Sequence, residues 1–288
     1  MDGADALTVQ WVGSIRLNVA NLGRAVHFYR AGLGFTLEHA HARTANLSLG
    51  GEQLILVEAP SGAAPYPPQP AANDPWFQHF AVRVSDMDAA YQLLVEQKPI
   101  PISISGPQQL PPSSGSVIAY KFRDPDGHPL ELSFKPGQAS PAPSASPFEA
   151  IDHSAFAVTD LEESLAFWVG LLGFKETARV LNQGPTQWRL DGIEGALVDI
   201  VVLHACGGGP HVELLHYRHP VSSRSARRFG PEDIPATRVQ LRATSEVISS
   251  TALALWEVRS ETAEGRLILV DPDNHLVEML KGAVAVHD

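Results

Sequence analysis

One cysteine, Cys206, stands among 288 residues. No intrachain disulfide can form, so packing must hold the fold, and a reducing compartment is the expected setting. Long apolar runs are missing as well. No stretch reaches the roughly 18 residues that a membrane-crossing helix needs. Met1 to Gln10 carries two Asp and no Lys or Arg, unlike the start of a secretory signal. Charge is scarce and one-sided: charged residues make up 18%, with 32 Asp and Glu against 21 Lys and Arg, a net −11. Such a chain gains little from counterion release on nucleic acid, and anionic lipid repels it. The expectation is a cytoplasmic protein without nucleic-acid or membrane partners.

Present in quantity are apolar residues, at 44% of the chain, and the turn formers Gly and Pro, 23 of each. The length suits about two domains. Internal repeats show where that length comes from. His79-Phe-Ala-Val-Arg-Val-Ser-Asp resembles His153-Ser-Ala-Phe-Ala-Val-Thr-Asp. Asp124-Pro-Asp-Gly-His-Pro-Leu-Glu-Leu resembles Asp271-Pro-Asp-Asn-His-Leu-Val-Glu-Met, 147 residues later. Gly32-Leu-Gly-Phe and Leu171-Leu-Gly-Phe match at an offset of 139.

Each half divides again. Strand-like starts occur at Ser14–Val19, His79–Val84, His153–Val158 and Arg238–Ala243. Each runs into an apolar stripe of helical spacing: Leu22, Val26, Tyr29, Leu33; Met87, Ala90, Tyr91, Leu94; Leu161, Leu165, Trp168, Leu172; Val247, Thr251, Leu255. Further strand-like runs follow every stripe. The unit is strand–helix–strand–strand–strand, four times over. The segments 59–75, with six Pro, and 219–235 read as loops. Residues 137–147 form a Pro/Ala/Ser linker.

Four such units resemble the vicinal oxygen chelate (VOC) superfamily, which includes glyoxalase I, extradiol dioxygenases, epimerases and antibiotic-resistance proteins. The resemblance spans residues 11–281. It implies an α+β fold of four βαβββ modules in two VOC domains with concave mixed sheets. The first domain is expected at 11–136, from modules 11–60 and 76–136. The second is expected at 148–282, from modules 148–219 and 234–282.

The resemblance also implies one metal-ligand position on the first strand of a module and one on its last. Strand alternation then sorts the faces. With Phe80, Val82 and Val84 packed on the helix, His79 faces the concave side. With Leu130, Leu132 and Phe134 packed inward, Glu131 joins it. The third module offers His153 and Glu213 by the same logic. Aligning the first module puts Ser14 and Leu54 at the two positions. The fourth has Arg238, which cannot ligate a cation, beside Glu278.

If modules pair in sequence order, each cavity is defective. If the second pairs with the third and the first with the fourth, one cavity holds His79, Glu131, His153 and Glu213. The other is then metal-free. The second pairing is favoured, since it gathers the four ligands at one place.

Imidazole with carboxylate suits Zn, Ni, Co, Mn or Fe as the divalent ion. By resemblance, a small-molecule substrate would bind it through two adjacent oxygens, and Glu131 or Glu213 would be the catalytic base of an isomerase, lyase or epimerase. A methylglyoxal–glutathione adduct is one candidate substrate. An extradiol dioxygenase is an alternative, opposed by Arg238, and a non-catalytic ligand-binding or resistance protein is another. Monomer and homodimer both remain open.

Other residues are read more plainly. The Asp124 and Asp271 motifs are turns, with His128 and His275 solvated after them. Arg16, Asn18, Arg238, Gln240 and Arg242 form a buried network around Glu278 or bind an anion, the network being favoured. Arg224, Arg227 and Arg228 belong to a solvated loop, and Gly207–Gly209 to a turn. Cys206 is structural. Trp168, Trp188 and Trp256 belong to the core or a cavity wall. His211, His216 and His219 are strand-end residues near Glu213.

Overall fold

The structure is a computed structural model that describes residues 9–137, 146–243, 247–249, 256–261, 267–280 and 285–287. The first module runs strand Val9–Val19, helix Leu22–Leu33, then strands Thr36–His41, Thr44–Leu49 and Glu52–Glu58. The second starts with strand Gln78–Val84 and helix Met87–Glu96 and ends on strands Ile118–Arg123 and Pro129–Phe134. The third opens on strand Phe148–Ala157 and closes on Leu197–His204 and His211–His219. The fourth contains strands Arg238–Ala243, Glu257–Glu261, Leu267–Val270 and Leu276–Met279.

The helices start where the sequence supplies a cap. The side chains of Asn21, Asp86 and Asp160 accept from the backbone N–H of Arg24, Ala89 and Glu162 with Glu163, respectively. The first helix stops at Gly34, whose φ of 70° suits glycine. The third helix covers Leu161–Leu165 and widens into a π-helical segment at Ala166–Leu171.

Two features of the third and fourth modules depart from the simple repeat. Strand Lys175–Gln183 is followed by an additional helix, Pro185–Asp191, which begins on a proline and ends at Gly192 with φ 66°. Val247–Ser249 is a strand paired in parallel with Ala285–His287, not the start of a helix. Thr251 and Leu255 of the expected fourth stripe lie outside the described residues, as does most of the linker.

The modules pair crosswise. An eight-stranded sheet joins the first and fourth through antiparallel strands Val9–Val19 and Arg238–Ala243. A nine-stranded sheet joins the second and third through Gln78–Val84 and Phe148–Ala157. In every module the first strand lies parallel to the last.

The cores follow the other division. Ile15, Leu17 and Leu56 of the first module pack with Phe80, Val82 and Leu132 of the second, around helix residues Phe28 and Tyr29. Phe156, Trp168 and Leu214 of the third pack with Val239, Leu269 and Val277 of the fourth. Each half of the chain thus builds an apolar core, while each sheet draws on both halves. Fully burying one such Leu or Phe side chain contributes roughly 1.5–3 kcal/mol.

Candidate metal centre

The central antiparallel pair of the nine-stranded sheet sets Ala155 opposite His79 and His153 opposite Ala81. The flanking parallel pairs set Ala81 beside Glu131 and Ala155 beside Glu213. Alternation then puts all four polar side chains on the concave face. The four sit on adjacent strands in the order Glu213, His153, His79, Glu131, two from each side of the seam.

The side chains converge. The imidazole rings of His79 and His153 have centroids 5.5 Å apart. One nitrogen or oxygen from each of His79, Glu131 and His153 falls within 4.8 Å of the others. His79 Nε2 lies 3.4 Å from Glu131 Oε2, and His153 Nε2 lies 3.7 Å from Glu213 Oε2. Glu213 stands outside the set of three. Its Oε1 accepts from His211 Nε2 at 3.1 Å.

These groups fit a cation. Both ring nitrogens of His79 and Nε2 of His153 are buried without a hydrogen-bond partner. Buried polar atoms in that state are costly unless something else occupies them. His153 Nδ1 is held by Asp152 Oδ2 at 3.1 Å, which turns Nε2 toward the shared point. Carboxylates behind ligand imidazoles commonly orient them in this way. Two imidazoles and carboxylates make a donor set suited to a first-row divalent ion.

The electrostatics divide the two histidines. Burial holds His79 below its ordinary pKa, against the pull of Glu131. Burial also opposes charge on His153, but Glu213 and the Asp152 hydrogen bond outweigh it and push its pKa up to about 9. Burial would raise the carboxylates. The His153 charge nevertheless holds Glu213 well below the usual range, and the His153 hydrogen bond holds Asp152 down at about 2. Glu131 is likewise lowered by His79 and Lys121, despite its burial.

Three charged neighbours were not expected from the sequence. Lys121 Nζ sits 3.9 Å from Glu131 Oε2 and donates to Asp191 Oδ1 at 2.7 Å. Asp191 comes from the additional helix, which no repeat foreshadowed. Asp152 immediately precedes His153, and Arg83 reaches it at 3.6 Å. Alternation along Ile118–Arg123 could have placed Lys121 on the concave face, since Tyr120 and Phe122 belong to the core. The surrounding cavity encloses about 300 Å³ and is lined by the four candidate ligands, Lys121 and an apolar wall that includes Leu190.

The concave face of the eight-stranded sheet is built differently. The glutamate position of the first module is Ile55, not Leu54, because Arg16 pairs with Ile55. Leu54 faces the core instead. The aligned register was one residue off, and a slip of one reverses the face. Ser14 donates to Gln240, and Arg238 Nη1 lies 3.5 Å from Glu278 Oε2. Asn18 Nδ2 donates to the carbonyls of Pro231 and Asp233 at 3.0 and 2.9 Å, and Arg238 also donates to Pro231. Trp76 and Phe229, from the two long loops, pack on Ile268, Val270 and Leu276. Of the five residues expected around Glu278, Arg238 meets it and Gln240 meets Ser14 under the loops, whereas Asn18 bonds loop carbonyls, Arg16 is half-buried and Arg242 is exposed.

Several plain readings change. His128 and His275 are buried, not solvated. His128 Nε2 contacts the Asn18 carbonyl at 2.9 Å, and His275 Nδ1 contacts Asp271 Oδ2 at 2.8 Å. Their turns cap strands and point the aspartates inward, where backbone N–H groups bind them. Cys206 is exposed, so it contributes nothing to a core. Arg224 donates to the Pro68 and Gln69 carbonyls and so ties the two long loops together, while Arg227 and Arg228 stay exposed as expected, Arg228 meeting Glu257 at the start of a strand at 2.7 Å. His216 faces Asp199 at 3.5 Å, away from Glu213, whereas His211 lines the cavity. Trp168 is core, Trp256 packs against the same core, and Trp188 is half-buried.

No helix among the described residues is long and apolar enough to cross a membrane. A family model for the glyoxalase/bleomycin resistance protein/dioxygenase superfamily matches residues 11–132 and 150–279. A comparison with curated proteins finds no match. Among solved structures, glyoxalase I from Zea mays is similar over 96% of this chain and 92% of its own, with a TM-score of 0.64 and 18% identity. A candidate dioxygenase from Bacillus subtilis is similar over 95% of this chain and 86% of its own, with a TM-score of 0.55 and 14% identity. At those identities the likeness is one of fold.

Proposed function

The chain belongs to the glyoxalase/bleomycin resistance protein/dioxygenase superfamily, and from that premise we propose that it is a metal-dependent, glyoxalase-like enzyme. His79, Glu131, His153 and Glu213 hold one divalent ion, and the substrate is a small molecule with two adjacent oxygens. The observation that carries this reading is the pair of buried imidazoles, with unpartnered nitrogens, facing carboxylates from both halves of the chain.

A divalent ion bound there would supply Lewis-acid stabilisation of negative charge on the two oxygens. The chain's own groups do the rest. Glu131 or Glu213 takes the proton from the carbon beside an oxygen and returns it to the neighbouring carbon. No electron is gained or lost, so the reaction is an isomerisation; return of the proton to the opposite face of the same carbon would make it an epimerisation. Asp152 keeps His153 Nε2 turned inward, and His211 holds Glu213 by its other oxygen.

Metal analysis of the purified protein tests this directly. Wild type is expected to carry one equivalent, lost in both His79→Ala and His153→Ala. If His79→Ala keeps its metal while His153→Ala loses it, the ligand set is wrong. One observation favours a second reading, a metal-free binding protein: Lys121 already places a cation beside Glu131. Wild type that neither carries nor takes up metal would establish that reading. The extradiol alternative fits less well, because that resemblance implies ligands from one half of the chain, whereas these four candidates come from both.

A further inference from the structure

Lys121 is fixed from two sides. Its ammonium donates to Asp191 Oδ1 at 2.7 Å. The other oxygen of Asp191 accepts from Gln187 Nε2 at 2.7 Å, Gln187 Oε1 accepts from Asn182 Nδ2 at 3.0 Å, and Asn182 Oδ1 accepts from Ser114 Oγ at 2.6 Å. This buried chain runs along the cavity wall and ends on the ammonium. The Lys121 backbone N–H donates to Ser103 Oγ, which donates to the Leu190 carbonyl. Strand and additional helix are thereby locked together at the point where Lys121 leaves the backbone.

The same ammonium lies 3.9 Å from Glu131 Oε2. That is too long for a hydrogen bond, so Lys121 acts on Glu131 through charge. The side chains of Lys121 and Glu131 are 4% and 9% exposed, and water screens them little. Glu131 Oε2 is also the atom nearest His79 Nε2, so fixed ammonium and imidazole share one carboxylate oxygen.

We propose that Lys121 is a positioning residue. It is a built-in counter-cation that competes with the divalent ion for Glu131 and so limits how tightly the site binds it, while Asp191 keeps the ammonium from collapsing onto Glu131. This rests on the reading of His79, Glu131, His153 and Glu213 as ligands. Removing the positive charge lowers repulsion toward an incoming cation. Removing Asp191 deprives the ammonium of its anchor and turns it toward Glu131, in competition with the metal. The two changes act in opposite directions, which general damage to the fold would not produce.

The test is a chelator-competition titration of Zn²⁺ into the full chain, metal-stripped, with circular dichroism to check folding. Lys121→Gln keeps a donor for Asp191 and is expected to tighten Zn²⁺ binding. Asp191→Asn is expected to weaken it. Each change should be on the order of 10–100-fold, the usual size for groups just outside a ligand set. Lys121→Arg retains the charge and should stay near wild type. If Lys121→Gln does not fold, the contrast between Asp191→Asn and Lys121→Arg still decides. Variants that bind Zn²⁺ as wild type does, or that all weaken together, overturn the proposal while leaving the ligand set standing. Wild type that takes up no Zn²⁺ overturns both.

Discussion

Replacing Tyr29 by Phe removes one oxygen from the core shared by the first two modules. Tyr29 is fully buried, its ring packed near Phe28, Phe35 and Phe80. Its hydroxyl donates to Asp124 Oδ2 at 2.9 Å. Asp124 is equally buried, and its other oxygen accepts from the N–H groups of Asp126 and His128, at 2.9 Å each. Burial and the neighbouring Asp124 push the Tyr29 pKa well above its ordinary value, so the phenol stays protonated and donating. Phenylalanine keeps the ring, so no cavity opens and the transfer term is small. What is lost is a hydrogen bond whose acceptor stays buried, at a cost of about 1–3 kcal/mol. For a chain of this size each kcal/mol lowers Tm by roughly 2–4 °C. Thermal unfolding followed by circular dichroism should therefore show Tyr29→Phe melting about 2–12 °C below wild type. Zn²⁺ uptake should be unchanged, because Tyr29 lies on the helix side of the sheet. A variant as stable as wild type would refute the idea that the Asp-Pro-Asp-Gly turn is anchored through Tyr29.

Further outcomes follow from the other sites. Zn²⁺ at 100 times its Kd should add about 2.7 kcal/mol to stability, measured as a rise in Tm, and the rise should vanish in His79→Ala and His153→Ala. Arg238→Met breaks a buried ion pair and should cost about 3–5 kcal/mol in denaturant unfolding without altering metal content. A loss of metal there would overturn the separation of the two concave faces. Burial opposes charge on His275, but Asp271 and its hydrogen bond win and raise the folded pKa above the ordinary value. That contribution is complete below the unfolded pKa, near 6.5, and is lost as pH rises through the higher folded value. Unfolding free energies measured from pH 6 to 9 should decline, and His275→Gln should flatten that part of the decline.

The resemblance between the His79 and His153 segments and between the two Asp-Pro-Asp motifs revealed the doubling, and the strand-like starts divided each half again, because each module needs the same local chemistry. Alternation assigned His79, Glu131, His153 and Glu213 to one face, since a strand turns successive side chains to opposite sides whatever its partners. Asp86 and Asp160 marked helix starts for a similarly local reason: a carboxylate satisfies the free N–H groups of the first turn.

Residues whose roles depend on other segments were harder to read. Leu54 and Ile55 are both apolar, so sequence alignment had no physical means of fixing their register; the ladder with Arg16 did. His128 and His275 follow turns and look solvated until neighbouring strands close over them. Asp191 becomes meaningful only once its helix packs over the cavity and meets Lys121, 70 residues away.

The sequence by itself determined the module, its repetition and the face each candidate ligand occupies, all consequences of local periodicity. Only the tertiary structure decided that His79 meets His153, that loops cover the other concave face, and that an ammonium stands beside Glu131. Those outcomes depend on which strand edges join and which charges are buried together, and no segment carries that information alone.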